Sequence, residues 1–265
     1  MNISQVYAVY FSATGNTRKV TTTLANALAV SFDVPLEVRD FTLPAAREEA
    51  YEFAAGDLVI FGMPTYAGKL PNKLLDFVKS GFRGNGALAV PVVTFGNRSF
   101  DNSLAELCAC LEGDGFHTIG AGAFACRHAF TDALANGRPD SDDMAELAKL
   151  GSAVVGRIVK MTDFPAPVTV DGDADAPYYR PLGLDGEPKV FLKAKPKTDP
   201  AKCNGCGVCA AVCPMGSVST EDPSQVNGIC IKCQACVKKC PAGAKYFDDA
   251  AFLSHVAMLE QNFCL

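Results

Sequence analysis

The sequence predicts an α/β protein in two parts: a doubly wound five-stranded parallel sheet over residues 1–160 and a small cysteine-dense domain over residues 200–248. Three observations lead there. Continuous apolar runs alternate with stretches of helical spacing in the first 160 residues, the pattern of parallel strands covered on both faces. That periodicity stops between residues 161 and 199, where Pro165, Pro167, Pro177, Pro181, Pro188 and Pro196 are mixed with Asp and Gly, a linker composition. Eight of the twelve cysteines then crowd between Cys203 and Cys240.

Taken in order, Val6–Phe11 is a short apolar run and the first strand. Thr17–Val30 places Val20, Leu24, Ala27 and Leu28 on one helical face. Leu36–Phe41 and Asp57–Met63 are the second and third strands, and Pro71–Lys79 is a helix opened by its proline. Ala87–Phe95 is the fourth strand, Asn102–Leu111 a helix, and Thr118–Ala125 a fifth strand rich in Gly and Ala. Ser141–Lys160 is a helix with Ser141 as N-cap ahead of Asp142 and Asp143. Residues 249–265 close the chain with a helix at Ala250–Gln261. In such a fold a ligand sits beyond the carboxyl ends of the strands, where the strand order reverses.

With 265 residues and an apolar fraction of 49%, the chain is long enough for a medium domain with a real core plus a small one. A net charge of -5 argues against nucleic acid as the main partner. Met1 to Gln5 run straight into the first strand without a secretory signal, and no apolar run reaches the ~18 residues of a membrane span. A soluble, cytoplasmic protein is expected. There, clustered cysteines mean metal rather than disulfides. The scattered Cys108, Cys110, Cys126 and Cys264 read as small buried hydrophobes.

Two segments repeat one motif. Cys203, Cys206, Cys209 and Cys213 precede Pro214, and Cys230, Cys233, Cys236 and Cys240 precede Pro241; both read C-x2-C-x2-C-x3-C-P. Three thiolates at two-residue gaps wrap one face of a cubane iron cluster, and the fourth Cys of such a run ligates the other cluster. On that rule one [4Fe–4S] cluster takes Cys203, Cys206, Cys209 and Cys240, and the second takes Cys230, Cys233, Cys236 and Cys213. Structural zinc also takes four Cys, but a third Cys at x2 and a fourth at x3 do not suit a single tetrahedral ion. Residues 199–247 resemble the bacterial two-cluster ferredoxins. Val208, Val212, Val218, Ile229, Ile231 and Val237 flank the ligands, so low potentials are expected. Lys232, Lys238 and Lys239 read either as a docking patch for an acidic partner or as ordinary solvated lysines.

The first strand runs into Ser12-Ala13-Thr14-Gly15-Asn16-Thr17 and then a helix. Gly15 permits a tight turn. Backbone N–H groups and the hydroxyls of Ser12, Thr14 and Thr17 would face one spot at the positive end of the helix, which suits a phosphate. No Lys stands there, which excludes the nucleoside-triphosphate loop, and the three-glycine dinucleotide fingerprint is missing. The S-x-T-G-N-T run resembles the flavodoxin phosphate loop. Met63-Pro64-Thr65-Tyr66-Ala67-Gly68-Lys69-Leu70-Pro71 after the third strand and Thr94-Phe95-Gly96-Asn97-Arg98-Ser99-Phe100-Asp101 after the fourth are similar in place to the flavodoxin loops around the isoalloxazine ring of FMN. The resemblance implies Tyr66 on one flavin face, with backbone groups near Thr65, Gly68, Gly96 and Asn97 bonding the ring and ribityl chain. Phe100 reads equally as the second face or as core. Arg98 is expected to raise the flavin's potential. His128 reads as a satisfied loop histidine ahead of a proton donor to the flavin.

A flavodoxin-like domain followed by a two-cluster ferredoxin domain resembles the EFR1-type ferredoxins. What that implies is electron transfer between one-electron clusters and an FMN in the same chain, with redox proteins as partners in anaerobic metabolism. No catalytic residue is expected of a carrier. An oxidoreductase that reduces a bound small-molecule acceptor through its flavin is the alternative, and a sensing module with structural clusters is a third reading. A coil of about 40 residues would span roughly 30–40 Å and let the two parts dock or separate; docking over the flavin edge is expected.

Overall fold

The computed structural model describes residues 2–164 and 166–264; Pro165, one of the linker prolines, lies outside them. The strands β1 (Gln5–Tyr10), β2 (Leu36–Asp40), β3 (Asp57–Pro64) and β4 (Leu88–Phe95) form a parallel sheet in the order β2-β1-β3-β4. The fifth position is shared by two short pieces, β5 (His117–Thr118) and β6 (Gly122–Ala125), both parallel to β4. The order reverses between β1 and β3, which places the ligand crevice over the ends of those two strands.

Side chains alternate cleanly between the two faces. Val6 and Ala8 of β1 and Leu58 and Ile60 of β3 join one core with Val20, Leu24 and Leu28 of helix α1 (Asn16–Phe32) and Leu147, Val154 and Ile158 of helix α4 (Ser141–Lys160). Val9, Val59, Phe61 and Met63 join the other with Leu107 and Leu111 of helix α3 (Ser103–Gly113). That second core is unusually aromatic: Phe41 lies within 5.2–6.3 Å, ring to ring, of Phe11, Phe61, Phe77 and Phe82.

Three elements differ from the sequence reading. The helix expected over Pro71–Lys79 shrinks to α2 (Leu75–Val78), because Leu74 N–H donates to the Pro71 carbonyl at 2.9 Å and closes a turn first. The fifth strand breaks because four steps along β4, from Leu88 to Val92, face five steps from His117 to Gly122, a bulge. Gly120 sits in it, where an added Cβ would come within 2.8 Å of Val154 Cγ2, so the break lets α4 approach. Asp140, not Ser141, caps α4; its carboxylate accepts from the Asp142 and Asp143 N–H groups and suits the positive helix end better than a hydroxyl.

Residues 166–196 hold no helix, yet they lie strapped along the sheet domain. Val168 N–H donates to Thr118 Oγ1, Asp173 N–H to Asn102 Oδ1, and Tyr179 N–H to the Ala67 carbonyl. Lys69 is the principal anchor. Its ammonium pairs with Glu106 at 3.0 Å, both side chains about 95% buried, and donates to the carbonyls of Ala174 and Ala176. Glu106 in turn accepts from Leu70 N–H.

The cysteine domain has a two-strand clip, β7 (Lys197–Thr198) against β8 (Lys245–Tyr246), and two single-turn helices, α5 (Val208–Ala211) and α6 (Ala235–Lys238). A last helix, α7 (Ala250–Phe263), is capped by Asp249 and packs Met258 and Leu259 on Leu134 of the sheet domain. Of the scattered cysteines, Cys108, Cys110 and Cys126 are buried as expected, and burial pushes each thiol up to about 12. Cys264 departs from the expectation: it is exposed beyond α7, where there is no core to enter.

Lys69→Met leaves a buried Glu106 carboxylate and two strap carbonyls without their cation. A loss of about 3–5 kcal/mol in unfolding free energy is expected. Limited proteolysis should then cut faster within residues 170–180 than in the wild type.

Candidate functional site

The cysteines come together in two sets. Cys203, Cys206, Cys209 and Cys240 line one hollow; Cys213, Cys230, Cys233 and Cys236 line another. Among the described residues no three Cys, His, Asp or Glu side chains sit close enough to share one metal ion. The fourth thiol of each motif has crossed to the other set.

The backbone repeats with the sequence at an offset of 27 residues, Cys203 to Cys230. Gly205, Gly207 and Gly216 have φ of 72°, 70° and 59°; Lys232, Gln234 and Gly243 have 55°, 63° and 59°. Each α5 or α6 turn launches its fourth cysteine into a loop that folds back on the sulfur. Ser217 N–H points at Cys213 Sγ and Ala244 N–H at Cys240 Sγ, both at 3.3 Å. Burial acts to raise the Cys240 thiol, but N–H groups of Ala244, Ala242, Lys245 and Gly243 hold it below its ordinary value. Burial pushes Cys233 and Cys236 up to about 12, so loading these sites releases protons.

At the start of α1 the N-cap residue is Gly15, with φ 102° and no side chain of its own to cap the helix. The N–H groups of Ala13, Thr14, Gly15, Asn16 and Thr17 have no protein acceptor among the described residues, a nest of donors at a helix N-terminus. The hydroxyls are arranged differently from the sequence reading. Ser12 Oγ accepts from Arg18 N–H at 3.0 Å, and Thr17 Oγ1 bonds Thr94 Oγ1 at 2.7 Å. Ser12 N–H is held by Thr42 Oγ1 at 2.8 Å. A donor nest of this kind fits a phosphate group without further help from side chains.

The two ring loops stand beside the nest. Tyr66 and Lys69 exchange backbone hydrogen bonds across Ala67 and Gly68, whose φ values of 50° and 79° make a tight two-residue turn. The Gly68 carbonyl accepts from Asn102 N–H, and Thr65 Oγ1 bonds Ser103 Oγ. In the second loop Pro64 and Thr94 are paired across β3 and β4. Asn97 uses its side-chain amide on the Phe263 carbonyl of α7. Phe100 is half-buried against the aromatic core and 5.5 Å from Phe95. Arg98 is ion-paired with Asp101 and lies 3.9 Å over the Tyr179 ring, so its charge is balanced within the loop. His128 lies on Gly96, where a Cβ would fall 2.1 Å from its Cδ2. Its Nδ1 accepts from Phe130 N–H at 3.1 Å.

The two sites meet. Ala235 of α6 is wholly buried in the aromatic core, and Ile231, Cys233, Val212 and Met215 pack against it. Burial drives the Tyr66 hydroxyl well above its ordinary value, and the sulfurs of Cys233 and Cys230 add to the rise. The hollow lined by Cys213, Cys230, Cys233 and Cys236 is therefore the inner one. Sequence reasoning missed what fastens it: Arg47 Nη2 donates to the Pro214 carbonyl and Lys238 Nζ to Asp132. Lys232 Nζ donates to the carbonyls of Leu192 and Cys230. Of the suggested basic patch, Lys232 and Lys238 are thus engaged inside the molecule.

Comparison with known families matches twice. Residues 7–95 match the model of a flavodoxin domain, and residues 195–241 match that of a 4Fe-4S dicluster domain. The chain carries a flavodoxin domain and a 4Fe–4S dicluster domain. These imply a flavin, 4Fe–4S clusters and redox activity. No curated protein matches the chain. Among solved structures, the chain is similar to a flavodoxin from the domain Archaea, at 16% identity over 58% of this chain and 99% of that one, TM-score 0.37. It is also similar to the rubredoxin oxygen:oxidoreductase of Desulfovibrio gigas, at 18% identity over 61% and 38% of the two chains, TM-score 0.40. An NAD(P)H:quinone oxidoreductase from Methanothermobacter marburgensis gives 14% identity, 57% and 98% coverage, and TM-score 0.36. Among the described residues no helix is long and apolar enough to cross a membrane.

Burial, followed by the nearby His255, Lys238 and Arg98, lowers His128 to about 4 from the ordinary 6.5. Unfolding therefore takes up a proton between those values. The stability this neutral ring contributes is complete above pH 6.5 and is lost as pH falls through about 4. His128→Asn keeps an acceptor for Phe130 N–H but does not titrate. Denaturant titrations from pH 7 to pH 4 should show a shallower loss of stability in that variant.

Proposed function

We propose that this chain is an electron-transfer protein that carries two [4Fe–4S] clusters and one FMN and passes electrons between them internally. The observation that supports it most directly is the packing of Ala235, Ile231 and Cys233, within and beside the inner cysteine set, into the aromatic core of the sheet domain. Cys203, Cys206, Cys209 and Cys240 hold the outer cluster; Cys230, Cys233, Cys236 and Cys213 hold the inner one. Thiols that ring a hollow, with backbone N–H groups aimed at Cys213 and Cys240, suit a cluster with bridging sulfide better than a point-like ion. The donor nest at Ala13–Thr17 binds the FMN phosphate, and the loops Pro64–Gly68 and Thr94–Phe100 hold the ring, with Tyr66 on the side of the inner cluster.

When bound, the clusters pass single electrons while FMN takes one or two, so the chain links one- and two-electron redox partners. The protein's contribution is position. The strap holds the turn at Ala67 through Tyr179 N–H, α7 holds Asn97, and the packing of Ala235 and Ile231 on the aromatic core seats the inner cysteine set against the sheet domain. Redox proteins of anaerobic metabolism are the proposed partners, in the cytoplasm.

Anaerobic purification should give iron and sulfide in the ratio of two [4Fe–4S] clusters, with one FMN per chain. Cys206→Ser and Cys233→Ser should each remove one cluster's spectroscopic signal and spare the other. In stopped-flow reduction, the rate of flavin reduction by the clusters should not change on dilution. Zinc in place of iron, failure to take up FMN at micromolar levels, or a rate that falls in proportion to concentration would each reject the proposal.

A further inference from the structure

We propose that Arg47 is a positioning residue that ties the phosphate loop to the inner cluster's loop and places an unpaired positive charge beside that cluster. The inference rests on the assignment of clusters and FMN above and adds a device to it.

The geometry is a short relay. Ser12 N–H, at the base of the donor nest, is held by Thr42 Oγ1. Arg47 Nη1 donates to the carbonyls of Phe41 and Thr42, each at 2.7 Å, and so fixes that residue from behind. Its other arm, Nη2, reaches across to the Pro214 carbonyl, one residue after Cys213. A forked guanidinium makes all three bonds at once; no other side chain has that shape. The short 3₁₀ turn that carries it, Pro44–Arg47, touches the same loop again, with Pro44 Cγ 3.6 Å from where a Gly216 Cβ would lie.

The cysteine repeat makes the contact informative. The loops after Cys213 and Cys240 match each other in the fourth-residue N–H···S bond, the positive-φ glycine and the turn bond from that glycine. The Pro214 carbonyl takes the guanidinium; the Pro241 carbonyl has no such partner among the described residues. Arg47 is half-buried and pairs with no carboxylate among the described residues, and burial lowers its pKa. Its charge is therefore less screened than a surface one. Other cations face the sites as well: Lys245 is buried at the outer hollow, and Lys232 bonds the Cys230 carbonyl. Arg47 alone among them joins the two domains at the nest.

Reduction adds a negative charge to a cluster, which a fixed cation favours, so Arg47 raises the inner potential. The test compares full-length holoprotein with Arg47→Met and Arg47→Lys, prepared anaerobically and checked for iron, sulfide and FMN. The inner cluster is assigned as the one lost in Cys233→Ser. In Arg47→Met the inner cluster's reduction equilibrium should fall about tenfold, about 59 mV for one electron, with the outer cluster unmoved. FMN should bind about tenfold more weakly in the same variant, because the Phe41 and Thr42 carbonyls lose their donor and Thr42 keeps, besides its bond to Ser12, the one from its N–H to Asp40. Arg47→Lys should restore the potential, since the charge returns, but not the FMN affinity, since a single ammonium lacks the two arms that reach Pro214 on one side and Phe41 and Thr42 on the other. Potentials and FMN affinity that stay at wild-type values in a fully loaded Arg47→Met would overturn the inference and leave the cofactor assignment standing, as would equal shifts in both clusters. If Arg47→Met loses a cluster, Arg47→Lys still decides: wild-type FMN affinity there overturns the relay. A wild-type chain without iron, sulfide or FMN would reject the assignment itself.

Discussion

The arrangement depends on one burial event: the inner edge of the cysteine domain enters the aromatic core of the sheet domain. Within residues 200–248 the domain's own core is thin, with Cys209, Val218 and Cys236 as its buried members. A unit of that size with hollows for clusters has too little apolar surface of its own to be stable. Ala235, Ile231, Cys233, Val212 and Met215 lend their burial to the neighbour instead. The spacing between the sites is thereby set by side-chain packing and not by the length of the connecting segment.

Much of this was legible in the sequence. The strands at Val6, Asp57 and Ala87 announced themselves by apolar content, and the α1 loop by Gly15 within the run Ser12–Thr17. The crossing of the fourth cysteines follows from spacing alone. What escaped was set by contacts distant in the chain. The bulge at Gly120 answers to Val154, thirty-four residues on, and nothing local marks it. Proline content marked residues 161–199 as a linker, and the apolar Val190–Leu192 allowed it to lie along a surface, but its anchor could not be read: Lys69, paired with Glu106, binds it through carbonyls any sequence would supply. Ser12 and Thr17 looked like phosphate ligands because a hydroxyl's partner cannot be read from its neighbours; here they serve Arg18 and Thr94.

The internal repeat shows how duplicate loops become unequal. The outer copy uses Gly205 and Gly207 at its left-handed positions, where glycine adopts the conformation without strain. The inner copy places Lys232 and Gln234 there, residues that enter that region at a cost. Each has work that glycine could not do: Lys232 reaches Leu192, and Gln234, 4% exposed, donates its side-chain amide to the Lys232 carbonyl. Backbone strain in the inner loop accompanies the side chains that seat it.

Four donors that fasten distant segments share a trait, with the Lys238–Asp132 ion pair as an exception. Arg47 on Pro214, Asn97 on Phe263, Lys232 on Leu192 and Lys69 on Ala174 and Ala176 all end on main-chain oxygen. A peptide oxygen persists whatever side chain is attached to it. At these four places the receiving residues are therefore free to drift in related chains while the donors are held, and a search for paired substitutions would find little there; the Lys238–Asp132 pair is one place where it would find some.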